Sequence, residues 1–128
     1  MTKCIKSGWS SKIFLAFFLL GMVTLMNSCK KDKSPTGSFI FYTFLDNTKF
    51  DAIKIYVDGK QAGEITLTHI ERPQCGTPSS INVVNVKLPA GTHSWHAKQI
   101  LNGKEIDEWD ERDEVIKEGE CNFIKLTD

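Results

Sequence analysis

Three sets of side chains in this 128-residue chain have the polarity or aromatic surface to do chemistry. The largest is an acidic run in which Glu105, Asp107, Glu108, Asp110, Glu111, Asp113, Glu114, Glu118 and Glu120 are offset only by Arg112 and Lys117. Clustered carboxylates can hold Ca²⁺, but the order Asp107-Glu108-Trp109-Asp110-Glu111 lacks the glycine and the alternating ligands of an EF-hand loop. A solvated edge strand whose charges deter a neighbour explains the run more simply. Trp109 lies inside it, and Trp109 with Asp107 and Glu111 forms the candidate ligand contact, a surface indole among carboxylates suited to a carbohydrate or peptide. The histidines complete the set. His93 and His96 are three positions apart, which puts them on opposite faces of a strand, and His69 lies in another segment, so no metal site is expected. No G-x-S-x-G, H-E-x-x-H, P-loop or nucleotide fingerprint occurs, so no catalytic residue is assigned and a non-enzymatic role is expected.

Thiol chemistry depends on where the chain resides. Lys3, Lys6 and Lys12 precede an apolar stretch from Ile13 to Met26, and small Ser28 stands before Cys29. The stretch is shorter than the roughly 20 residues of a membrane-spanning helix, and its order of basic, apolar and small residues is that of a secretory signal. Leu25-Met26-Asn27-Ser28-Cys29, followed by Lys30-Lys31-Asp32, resembles the cleavage box of Gram-negative bacterial lipoproteins. That resemblance implies removal of residues 1–28, covalent lipid on Cys29 and a permanent anchor through several acyl chains. With Lys30 rather than Asp after the cysteine, it implies an outer-membrane address, on the periplasmic or the cell-surface side.

Removal of the signal alters the rest of the reading. The balance of 16 basic and 16 acidic residues loses three lysines and becomes 13 against 16, a net charge of −3. Such a mildly acidic chain does not suit nucleic acid. About 100 residues make one domain. Cys4 leaves with the signal and Cys29 carries lipid, so Cys75 and Cys121 remain as a disulfide pair in an oxidising compartment. A bridge across 46 residues stabilises by roughly 3 to 4 kcal/mol.

Polar Lys30 to Ser38, with Ser34-Pro35-Thr36-Gly37, predicts a tether over residues 29–38 and a domain over 39–128. Phe39–Phe44 is β-prone, and Ile53, Ile55 and Val57 alternate with Lys54, Tyr56 and Asp58. Asp58-Gly59 and Asn102-Gly103 predict type I′ hairpin turns. The stretch His69–Ser80 reads as a long loop held by Cys75. Val84, Val86 and Leu88 form the apolar side of the next strand, and Trp95 shares an inward side with Ala97. Val115-Ile116 and Phe123–Leu126 flank a turn at Glu118-Gly119. About seven strands and no helical periodicity predict an all-β fold, a small antiparallel β-sandwich, with a small β-barrel as the alternative.

Ile55-Tyr56-Val57-Asp58-Gly59-Lys60-Gln61-Ala62-Gly63 and Val86-Lys87-Leu88-Pro89-Ala90-Gly91-Thr92-His93 are similar to the two recurring motifs of PEGA-like and carboxypeptidase-regulatory-like sandwich modules. The likeness covers about 40 residues and implies an accessory or surface module without shared catalytic residues. The expected function is thus a membrane-anchored binding or interaction module of the cell envelope, meeting an envelope protein or a glycan. The alternative is a carbohydrate-binding accessory lipoprotein using exposed aromatics.

Overall fold

The computed structural model describes residues 34–128; Cys29 and the expected signal lie outside them. Seven strands follow one another: β1 (Thr36–Thr43), β2 (Ala52–Val57), β3 (Lys60–Ile65), β4 (Val83–Pro89), β5 (Gly91–Leu101), β6 (Lys104–Ile116) and β7 (Cys121–Leu126). A 3₁₀ turn at Asn47–Lys49 links β1 to β2. Hydrogen bonding arranges them as a three-stranded sheet, β4-β1-β7, and a four-stranded sheet, β3-β2-β5-β6. The fold is therefore an all-β sandwich of two sheets and not a closed barrel.

Alternation of side chains builds the core. Phe39 and Phe41 of β1, Val84 of β4 and Ile124 and Leu126 of β7 meet Ile53, Ile55 and Val57 of β2, Trp95 and Ala97 of β5 and Ile116 of β6. Val86 and Leu88 pack against this cluster, so the apolar side of β4 faces inward as its pattern indicates. Among the described residues, the two buried polar ones, Thr43 and Gln99, are paired, as low-dielectric surroundings require, whereas the buried indole nitrogen of Trp95 has no hydrogen-bond partner there. The Thr43 hydroxyl donates to the Leu126 carbonyl at 2.7 Å and accepts from Leu45 N–H at 3.1 Å, and the Gln99 amide donates to the Lys49 carbonyl at 2.8 Å.

Both Gly-containing hairpin turns form as their dipeptides predict. Asp58 and Gly59 take φ of 49° and 77°, and Asn102 and Gly103 take 52° and 71°. Positive φ at both central residues matches the twist of the strands they join.

Two expectations need correction. The first strand takes in residues 36–38, expected to belong to the tether, because Thr36, Gly37 and Ser38 pair with Pro89, Leu88 and Lys87 of β4. A chain whose backbone is bonded on both sides does not stay free merely because its side chains are polar. The sandwich is not wholly antiparallel, since β7 runs parallel to β1 with Ser38 opposite Cys121 and Thr43 opposite Leu126. The acidic run lies on an edge strand, as its charges suggest, and that strand takes in Val115 and Ile116 over 13 residues because β5 supplies a long partner. The long loop also does more than cross between sheets.

That loop, residues 66–82, lies over the outer face of the three-stranded sheet. Ile40 and Val83 point to that face and are fully buried, and Tyr42 is nearly so. Pro73 of the loop is itself buried. The Arg72 guanidinium sits 4.2 Å above the centre of the Phe123 ring. At one end of the loop His69 N–H bonds to the Thr43 carbonyl at 2.9 Å; at the other, Asn85 donates to the Thr77 carbonyl at 2.6 Å and to Ser79 Oγ at 2.9 Å. Its middle is held by the Cys75–Cys121 disulfide, with Cα atoms 5.7 Å apart.

Candidate functional site

The residues expected to carry chemistry do not converge on one place. Asp107, Trp109 and Glu111 all lie on β6, the edge strand of the four-stranded sheet. Trp109 stands opposite Ala97 and packs against the core, half-buried, with its indole N–H donating to the Thr127 carbonyl at 2.9 Å. Asp107 stands opposite Gln99, and its Oδ1 accepts from the adjacent Glu108 N–H at 2.9 Å. Glu111 lies in an irregularity of the ladder: Arg112 pairs with Trp95 and Trp109 with Ala97, so Asp110 and Glu111 together oppose His96. A bulge of this kind bends the strand and breaks its pairing edge. Beside it is an open cleft of about 300 Å³ lined by His96, Lys98, Glu108, Trp109, Asp110 and Glu111.

Charges along β6 are splayed, not gathered. An extended chain sends successive carboxylates to opposite faces, and the bulge opposite His96 and a second irregularity at Ile106, between Asp107 opposite Gln99 and Glu105 opposite Ile100, interrupt the alternation further. Among the described residues no three His, Cys, Asp or Glu side chains are placed to hold a metal ion. One carboxylate is engaged by a base: Lys98 Nζ lies 2.9 Å from Glu105 Oε2, a hydrogen bond that raises the lysine above its ordinary pKa.

The three histidines occupy three different surroundings. His69 accepts from Glu71 N–H at 3.1 Å within the long loop. His96 stacks on Tyr56 across β5 and β2, with ring centres 4.6 Å apart and planes 2° from parallel, on the open face of the four-stranded sheet. His93 sits at the rim of the core, edge-on to Phe39.

His93 also joins the two sequence motifs, a contact that reading them separately does not reveal. Its Nδ1 is 2.7 Å from Asp58 Oδ2, and its Nε2 is 2.7 Å from the Pro89 carbonyl. The second oxygen of Asp58 accepts from Ser94 N–H at 3.0 Å. Both ring nitrogens face acceptors, so the doubly protonated ring satisfies both. The carboxylate of Asp58 accordingly raises the His93 pKa, helped by the Pro89 carbonyl, and the bond from His93 lowers that of Asp58. An Asp–His pair can serve as a general base only if the far nitrogen is free. Here that nitrogen is occupied, so the pair acts as a clasp tying the β2–β3 turn to the β4–β5 turn.

A cleft of about 550 Å³ lies beside the disulfide, between the loop at Cys75, Pro78 and Ser79 and the sheet at Ser38, Lys87 and Cys121. No cue in the sequence marks it, because it arises from the loop crossing a sheet face. Compared with known proteins, the chain matches no family model, no curated protein and no solved structure.

Proposed function

We propose that the protein is a lipid-anchored, non-enzymatic binding module of the cell envelope, held in the outer membrane through acyl chains on Cys29. The observation that carries this reading is the Cys75–Cys121 bond. Disulfides persist in oxidising compartments, and a secretory signal ending at Cys29 delivers the domain to one. Pro35 and Thr36 place the first strand seven residues after that cysteine, which suits a short tether. Among the described residues, the one hydrogen-bonded histidine–carboxylate pair has its second nitrogen bonded to a backbone carbonyl, so it supports a structural role for the motif residues.

Carbohydrate binding through Trp109 has less support. A stacking platform needs a free indole face, whereas this indole packs on the core and bonds its N–H to Thr127. Only the cleft that Trp109 shares with Glu111 speaks for it. Metabolic labelling with a fatty acid tests the main reading: label on the wild type that disappears in Cys29→Ser supports the anchor, and label retained in the variant overturns it. Quenching of Trp fluorescence by envelope oligosaccharides, lost in Trp109→Ala, would shift the balance to the alternative.

A further inference from the structure

Among the described residues, four of the six large apolar side chains standing exposed, Phe44, Leu67, Ile70 and Ile81, come from segments that the topology gathers at one end of the sandwich. Phe44 follows β1 directly. The Thr43 carbonyl accepts from His69 N–H at 2.9 Å and from the Thr68 hydroxyl at 3.2 Å, and the Ile81 carbonyl accepts from Thr66 and Leu67 N–H at 2.7 and 3.1 Å. Ile70 is the extreme case, 87% exposed. Concentrated apolar surface of this kind marks a contact site more often than scattered exposed residues do. The opposite end of the sandwich is where the chain enters, at Pro35, whose carbonyl accepts from Ala90 N–H at 2.8 Å.

We propose that this pole docks an apolar segment of a different envelope protein, an inference that rests on the lipid anchor at Cys29. Chain length eliminates the nearer occupants. The eight steps from Pro35 to Thr43, nearly all within β1, span about 26 Å. The six steps from Cys29 to Pro35 reach about 22 Å at full extension. The tether is therefore too short either to cover the pole or to let the domain invert and lay Ile70 on its own membrane. A second copy held in the same membrane by an equally short tether points its pole the same way, so two poles do not meet end to end. Isoleucine and leucine offer a glycan neither hydrogen bonds nor a broad stacking face, and the aromatic ring of the pole, Phe44, has Lys125 Nζ 5.5 Å above its centre. A protein surface approaching from the side away from the membrane remains, and its contact residues must be apolar to match Ile70, Ile81 and Leu67.

The test places a photo-crosslinking amino acid at Ile70 of the full-length chain in cells, with Val115, itself 57% exposed, as the control position. The expected result is one discrete protein adduct at position 70 and none at 115. The captured protein, once purified, should bind the wild type at least about tenfold more tightly than Ile70→Lys/Ile81→Lys, with the variant's melting temperature unchanged. No adduct, an adduct to lipid or to a second copy, or equal affinity for the two forms overturns the proposal. Mass spectrometry of the same sample separates the two readings. An acylated Cys29 without the adduct overturns docking alone, and an unacylated Cys29 overturns the anchor together with what is built on it.

Discussion

The three-stranded sheet is covered on both faces, whereas the four-stranded sheet leaves one face to solvent. On the first, β1 alternates Phe39 and Phe41 toward the core with Ile40 and Tyr42 toward the outside, and all four are buried. On the second, Ile53, Ile55 and Val57 are buried while Lys54 and Tyr56 are only half-covered. Sequence explains the difference. A strand apolar on both sides needs two covers, and the second cover is a loop with no ladder of its own, so a covalent bond holds its middle. A strand that alternates Ile with Lys needs one cover, and on its open face charges and the Tyr56–His96 stack suffice.

The comparison makes the disulfide the strongest point at which to break it. Cys75→Ser/Cys121→Ser should lower unfolding free energy by roughly 3 to 4 kcal/mol. Urea denaturation reads the loss. Hydrogen exchange should accelerate most at residues 70–76 and on the outer face of β1, beyond the rise that the lower global stability gives β2 and β5; equal acceleration throughout would mean that the loop is not a separate cover. Ile40→Ala follows in size, at about 3 kcal/mol, because the side chain is fully buried beneath that cover. Combining the two changes sharpens the point. If the loop is what buries Ile40, the cost of Ile40→Ala should shrink in the cysteine-free background, a coupling that a double-mutant cycle measures directly. Strict additivity would place the cover elsewhere.

How far these features were legible depends on the range of the interactions that fix them. Asp58-Gly59 and Asn102-Gly103 form their turns because positive φ is a local property of those residues. Trp95 and Ala97 point inward, and so does Val84, because side-chain alternation is also local. The parallel pairing of β1 with β7 depends on strands 83 residues apart, and nothing in Phe123–Leu126 marks its direction. Thr36 and Ser38 look like tether residues because their partners on β4 lie some 50 positions away. In the candidate site, Asp107, Trp109 and Glu111 were located on an edge strand as their charge suggested. Which way Trp109 points, however, follows from a bulge opposite His96 that no single stretch of sequence encodes. The meeting of Asp58 and His93 was half legible, since both residues belong to the quoted motifs, while their contact needs the tertiary fold.

The clasp at the chain-entry end of the sandwich gives a pH-dependent prediction. His93 is raised by its bond to Asp58, so its contribution is fully present below its unfolded pKa of about 6.5 and is lost as pH rises through the higher folded value. Asp58 is lowered by the same bond, so its contribution is present above about 3.9 and is lost as pH falls through the lower folded value. The stability gap between wild type and His93→Gln should therefore be widest between about pH 4 and 6.5 and should narrow above that. About 1 kcal/mol is expected at the maximum, modest because the Asp58 side chain is 48% exposed. Thermal melts across pH 4 to 9 measure the gap, and a gap that widens above pH 7 would reverse the assignment of charge on the ring.

The smallest effects belong to the open face, where they set the other limit of the comparison. Tyr56→Ala removes a stacked partner of His96 from a half-exposed position and should cost about 0.5 to 1 kcal/mol. Lys98→Met breaks the contact with Glu105 and should leave the melting temperature unchanged, because exposed ion pairs exchange one set of favourable contacts with water for another. If Tyr56→Ala instead destabilises as much as Ile40→Ala, the open face must be covered in solution, and the contrast between the sheets fails at its simplest point. Melting the variant at several protein concentrations then identifies the cover. A cost that shrinks on dilution, as the wild type loses its partner, indicates another copy on that face, and a concentration-independent cost indicates packing within the chain itself.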